Sequence, residues 1–318
     1  MSETRFTENG GVRIAYQDLG GAGGEPLLLV MGLGASRFWW PRELVSGLLD
    51  LGFHVVAYDQ RDAGESDRVP AAPDGRGRDG RGTDGRGPIG RLLSKRRPAY
   101  TAEDMADDAV AVLDALGRRR THVFGHSMGG LLAQRIALRH PQRVISVTSS
   151  GALPSDVRGL AQLRHVRPGF VLRSARLRAP EGPDGDLALG LAVSRLLATP
   201  GYPVDEEGAR AAVAADRAHG IRTFRESEAQ GPQIGAPWSG PRLAELAMPA
   251  LVLHGEADPV LRVSAARATA AAAPDARLRV FPGAGHAIPP ALCREYAREV
   301  AEVAEAAGRR RADPGSPG

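Results

Sequence analysis

Apolar and polar positions along the chain fall into two alternating rhythms. Short apolar runs at Pro26–Val30, Phe53–Tyr58, Thr121–Phe124, Val144–Thr148, Ala250–His254 and Arg277–Phe281 read as strands, most of them covered on both faces. Helical spacing fills the gaps. Phe38–Leu51 reads as one helix, with Pro41 tolerated near its start. Thr101–Leu116 is amphipathic, with Thr101 as its N-cap and Asp104, Asp107 and Asp108 on its polar side. An Ala-rich helix separates the last two strands, and a final helix is expected over about Ala291–Ala307. At the start, Arg5–Thr7 and Val12–Tyr16 flank an Asn9-Gly10-Gly11 turn, a hairpin signal. Strands alternating with helices predict an α/β fold: a mostly parallel central sheet, helices on both faces, right-handed crossovers. Ligands in such sheets sit beyond the C-terminal ends of the strands.

Two stretches interrupt the rhythm. Asp74–Gly87 is a low-complexity Asp/Gly/Arg tract, read as an expanded flexible surface loop within an insertion over 70–98. Pro154–Gly240 has no strand patterning, only helical stretches (Leu187–Leu197, Asp205–His219) broken by Pro and Gly. It is expected to form a helical cap over the sheet edge. The implied organisation is a core of 1–153 and 241–318 with an inserted cap of 154–240.

Composition narrows the picture further. With 318 residues, 42% of them hydrophobic and 25% charged, the chain can bury a sizeable core. No apolar run reaches the roughly 18–20 residues of a membrane span, and the N-terminus lacks a secretory apolar core. A cytoplasmic protein without membrane partners is the expectation, as monomer or homodimer. The single Cys293 makes no internal disulfide, and no Cys/His cluster points to zinc. The pI of 9.7 comes almost wholly from arginine, concentrated in Arg76–Arg97 and Arg309–Arg311. Acids interleave the Arg-Gly tract and no aromatic is there to stack bases, so nucleic acid is not an expected partner.

The chemistry centres on Gly125-His126-Ser127-Met128-Gly129, which joins an apolar strand to a helix-favouring segment. In that context Gly-x-Ser-x-Gly is a nucleophile elbow, a turn so tight that side chains beside the serine would collide with strand or helix. A serine hydroxyl needs a base, and the base needs an acid to orient it. His286 is the candidate base among the eight histidines: Pro282–His286 is a Gly-rich loop directly after the last strand. His54, His122 and His254 lie in or beside strands and read as structural; His126 is the variable position of the elbow, and His140 closes a helix before Pro141. Asp258, just past the penultimate strand, is the candidate acid, with Glu256 closer to the strand end.

An oxyanion requires two N–H donors. Met128, after the nucleophile, supplies one. The other is expected from Met31-Gly32-Leu33-Gly34, where Leu33 is the first choice and Gly34 the second. Gly32, Gly34, Phe38, Trp39 and Trp40 are candidate substrate-binding positions, the three aromatics reading equally well as core. No cofactor or metal is implied.

Met31–Gly34, Asp59–Ser66, Gly125–Gly129 and the Asp258/His286 pair follow one another in the order seen in the α/β-hydrolase superfamily, which the chain resembles from about Arg5 to Ala307. Within it, the chain is similar to actinomycete aclacinomycin methylesterase-like serine esterases, which have methionine before the oxyanion glycine (Met31) and Arg-Asp in the following motif (Arg61-Asp62). The resemblance implies cofactor-free hydrolysis of a methyl ester on a hydrophobic, polyketide-like small molecule of antibiotic biosynthesis. Acyl transfer, cyclisation or C–C cleavage on the same triad, and a non-catalytic receptor, are the alternatives. The Asp74–Gly87 tract and Glu226–Gly240, with Gln230 and Trp238, depart from the methylesterase pattern.

Overall fold

Gly10 and Gly11 both take left-handed φ values, 60° and 78°, and close β1 (Arg5–Asn9) onto β2 (Val12–Gly20) as an antiparallel hairpin. That hairpin forms one margin of an eight-stranded sheet, seen in a computed structural model that describes residues 3–69, 100–157, 159–177, 180–181, 184–224, 230 and 238–312. The remaining strands are β3 (Glu25–Val30), β4 (Phe53–Tyr58), β5 (Thr121–His126), β6 (Val144–Ser150), β7 (Ala250–Gly255) and β8 (Ala276–Phe281). Their spatial order is β1-β2-β4-β3-β5-β6-β7-β8, and every pairing from β4 to β8 is parallel. The sequence-predicted tract at 74–87 lies outside the described residues.

The continuous apolar runs resolve into two cores by alternation. In β3, Leu28 and Val30 face one side with helices α2 (Ala102–Ala115) and α3 (Met128–Arg139). Leu27 and Leu29 face the other, with α1 (Arg42–Asp50) and the C-terminal helix Cys293–Ala312. With strand side chains pointing to opposite faces at every step, a strand covered on both sides has no polar position to show.

Two expectations need correction. The helix predicted over Phe38–Leu51 is split: a single 3₁₀ turn spans Arg37–Trp39, and α1 begins only at Arg42. Pro41 is the cause, since its ring forces Trp40 into an extended conformation (φ −69°, ψ 127°). Asp108, read as solvent-facing, is buried on α2, where both carboxylate oxygens accept from the Arg61 guanidinium at 2.7 and 2.6 Å. The Thr101 cap is as expected, with Asp104 completing a reciprocal capping box.

Register places the chemistry. Val30 lies opposite both Tyr58 and Gly125, and His126 lies opposite Ser150, itself opposite Leu253. The segments after β3, β4, β5 and β7 therefore emerge side by side along one edge. Between β6 and β7 the described elements are helical: a 3₁₀ stretch at Gly159–Arg164, then α4 (Pro168–Ser174), α5 (Gly185–Leu197) and α6 (Glu206–Ala218). Helix α6 packs on the Arg37–Trp39 turn, where Asp216 accepts from Ser36 Oγ at 2.5 Å and Trp39 Nε1 at 2.9 Å.

Candidate active site

The turn from β5 into α3 is tight enough to exclude side chains. A Cβ on Gly125 would lie 2.0 Å from the Gly129 carbonyl oxygen, and one on Gly129 would lie 2.0 Å from that of Val30. Ser127 between them has φ 57° and ψ −122°, a conformation that costs a non-glycine residue about 1–3 kcal/mol and persists only when its surroundings enforce it. Here Ser127 N–H donates to Ser150 O at 2.8 Å, and Ser127 O accepts from Gly130 and Leu131 as the helix starts.

Ser127 Oγ lies 2.9 Å from His286 Nε2, and His286 Nδ1 lies 2.7 Å from Asp258 Oδ2. The three residues meet across 159 and 28 positions of sequence. A carboxylate can only accept, so His286 carries its proton on Nδ1 and leaves Nε2 as the acceptor facing the serine hydroxyl. Asp258 is completely buried. Its other oxygen, Oδ1, accepts from the backbone N–H groups of Val260 (2.7 Å) and Leu261 (2.9 Å). Burial alone would raise the Asp258 pKa. Interaction with His286, including the hydrogen bond from its Nδ1–H, together with His254 and the Leu261 amide outweighs it and holds the carboxyl below its ordinary range. His286 is itself anchored from the helical insertion, its N–H donating to Leu197 O at 2.9 Å. Glu256 lies apart from the histidine ring, accepting instead from Gly283 N–H.

Other histidines occupy supporting places. His126 packs beside the His286 ring with centroids 5.3 Å apart, and its Nδ1 meets Ser150 Oγ at 3.2 Å. Burial lowers its pKa to about 3, so its ring is neutral near pH 7. His254, inside β7, is fully buried with Nε2 3.8 Å from Asp258 Oδ2. His54 and His140 pair with Asp18 and Asp107 on the periphery.

The loop after β3 passes directly over the serine. A Cβ on Gly32 would lie 3.1 Å from Ser127 Cβ and 3.6 Å from its Oγ, so a side chain here would crowd the serine. Gly34 has φ 67° and closes a turn in which Ala35 N–H donates to Gly32 O. The Gly34 N–H is occupied, donating to Gln230 Oε1 at 2.8 Å. Among the described residues no acceptor faces the Leu33 N–H. On the other side, Met128 is the first residue of α3, where an N–H has no intrahelical acceptor and the helix end carries positive partial charge.

The aromatic candidates are dispersed. Trp40 is core, edge-on to Phe124 at 5.2 Å and 4% exposed. Phe38 lies under the Arg37 guanidinium and beside His219. Trp39 meets Phe224, Asp216 and the α5 backbone at Gly190, at the junction of sheet and insertion. Among the described residues no hydrogen bond or ring contact joins any of the three to Ser127, His286 or Asp258. Two residues contribute that local patterning misses: Gln230 and the Leu197 carbonyl. Both sit in the insertion, and their partners lie far away in sequence.

A sheet of this topology with strand-end loops converging on an elbow serine defines a hydrolytic enzyme. The chain belongs to the alpha/beta hydrolase fold family, whose model matches residues 25–289. It is 29% identical to rhodomycin D methylesterase DauP of Streptomyces sp. strain C5, over 96% of this chain and 99% of that protein. Rhodomycin D methylesterase DnrP of Streptomyces peucetius is also 29% identical, over 96% and 99%. Among solved structures, a putative aryl esterase from Burkholderia cenocepacia matches with a TM-score of 0.69 at 18% identity, covering 97% of this chain and all of that one (100%). The last likeness is one of fold.

Proposed function

We propose that the protein is a serine esterase that cleaves the methyl ester of a hydrophobic, polyketide-like small molecule through an acyl-enzyme. The observation that carries the mechanism is the continuous Ser127–His286–Asp258 hydrogen-bond chain ending on a strained elbow serine. Ser127 Oγ attacks the ester carbonyl as His286 Nε2 takes its proton. The negative charge that develops on the carbonyl oxygen falls between the N–H groups of Leu33 and Met128, a preorganised pair of dipoles. Collapse of the tetrahedral intermediate expels the alkoxide, which leaves as methanol with the proton from His286. Water, deprotonated by the same nitrogen, then hydrolyses the acyl-enzyme. Asp258, buried and ionised, keeps the imidazole in the required tautomer and stabilises the imidazolium.

The methyl ester and the polyketide-like acid rest on the full-length likeness to the rhodomycin D methylesterases. The test is incubation with rhodomycin D and with simple aryl and alkyl methyl esters, followed by mass spectrometry of the products. Free acid and methanol from wild type, and neither from Ser127→Ala, support the reading. A new ester formed with an added alcohol, without free acid, would move the assignment to acyl transfer.

A further inference from the structure

Gln230 is completely buried, and both ends of its side-chain amide are engaged. Oε1 accepts the Gly34 N–H at 2.8 Å, and Nε2 donates to Arg61 O at 2.7 Å. It thereby ties the loop after β3 to the loop after β4. A side-chain amide can accept from one backbone group with its oxygen and donate to another with its nitrogen at the same time, whatever the pH. An ionised glutamate would set negative charge against the Arg61 carbonyl, and leucine would leave two buried backbone groups unpaired.

The loop that Gln230 holds is the one that lies over Ser127. Three amides follow Gly32 in its turn. Ala35 N–H is used within the turn, Gly34 N–H is taken by Gln230, and the Leu33 N–H remains. The neighbouring backbone is pinned as well: Phe224 N–H donates to Gly34 O at 3.1 Å, and Gln60 Nε2 donates to Met31 O. Gly34, having no Cβ, has several backbone wells open to it. A fixed partner on its N–H selects one of them, and with it the orientation of the peptides on either side.

We propose that Gln230 is the positioning residue of the oxyanion site: it removes the Gly34 N–H from competition and fixes the turn so that the Leu33 N–H faces the carbonyl oxygen bound at Ser127. This rests on the serine-esterase reading above. The acting residue lies 169 positions from one partner and 196 from the other, in the segment leading back from the helical insertion. The insertion therefore takes part in transition-state stabilisation as well as in shaping the pocket.

The test measures the kinetics of labelling by a fluorophosphonate, whose phosphonyl oxygen occupies the oxyanion position. With Gln230→Leu the maximal labelling rate is expected to fall about tenfold to a hundredfold, the cost of a misaimed group at a reacting centre, while the half-saturating concentration holds. A merely structural role would lower the fraction of folded protein without moving the rate of the folded fraction. An unchanged maximal rate, with Ser127→Ala unlabelled, overturns the role of Gln230 and leaves the esterase reading standing. No labelling of folded wild type overturns both. Should Gln230→Leu fail to fold, Gln230→Glu carries the test. Its protonated carboxyl can both accept and donate, so its labelling rate relative to wild type should rise as pH falls. A ratio flat with pH overturns the proposal.

Discussion

The strand-end loops of the parallel sheet and the helical insertion between β6 and β7 meet at one site but are built on different principles. In the sheet, register does the positioning. Val30 lies opposite Gly125, one residue before β5 ends, and His126 opposite Ser150, so the strands end close together and Ser127, Asp258 and His286 converge although they are scattered in sequence. Each is then locked by close backbone approach at Gly125, Gly129 and Gly255. In the described part of the insertion no strand joins the sheet, and the backbone pairs with the segment after β7 at one isolated bridge, Val166 with Leu261. Single side chains and carbonyls reach across: Asp216 to Ser36 and Trp39, Leu197 O to His286 N–H, and Gln230 to Gly34 and Arg61. The contrast teaches that the sheet sets where the reacting groups meet, while single contacts from the insertion reach across to hold them.

The largest expected effect lies on the sheet side. Asp258→Asn keeps the volume but offers His286 an amide in place of a carboxylate, favouring the wrong tautomer. The kcat should fall about 10⁴-fold with KM little changed, as the same replacement does in a serine protease triad. Equal losses on every ester tested would confirm that the sheet controls the chemical step. A loss confined to one substrate would blur the division.

A smaller effect is expected across the junction. Asp216→Ala removes the acceptor for Ser36 Oγ and Trp39 Nε1 and leaves buried donors unpaired. Stability should drop by about 1–3 kcal/mol, seen as a lower urea midpoint. Because Trp39 lines the junction, KM should rise more than kcat falls. If kcat collapses instead, the insertion is more deeply involved in the chemistry than its contacts imply.

The last effect concerns stability in acid. His126 has its folded pKa lowered to about 3 by burial, against 6.5 for the unfolded chain. The unfolded state therefore binds the extra proton first. The stability tied to neutral His126 is complete above pH 6.5 and is lost as pH falls toward 3. Between those limits the group contributes a slope of up to about 1.4 kcal/mol per pH unit. His126→Asn should flatten the acid limb of a stability-versus-pH curve by that amount, and an unchanged slope would show that His126 is protonated in the fold.

How far all this is legible in the sequence follows the same divide. Ser127, Asp258 and His286 can be read because each stands immediately beyond a strand, in a Gly- or Pro-marked turn, and strand order dictates where those turns go. The split at Pro41 was available from proline's effect on Trp40, but the apolar spacing of Phe38–Leu51 masks it. Asp108 reads as a solvated face because its partner, Arg61, arrives from a loop 47 residues away. Gln230 stands out in the sequence only as part of a departure from the methylesterase pattern, with no signal of its partners. It sits in a stretch without periodicity, and only the folded chain shows that Gly34 and Arg61 need it. Likewise, three adjacent aromatics could not be divided among core, cation stack and junction without knowing that the backbone turns between them. Asp62 is intermediate. Its φ of 64° explains an Arg-Asp pair in a tight loop, since its own Oδ1 accepts the Val69 N–H and helps to hold the left-handed backbone.

The central claim is that Ser127 is an activated nucleophile, and intact-protein mass after fluorophosphonate treatment tests it most directly. The account predicts one adduct on wild type and none on Ser127→Ala. Folded wild type that stays unlabelled, or a mutant that is labelled equally, would contradict it.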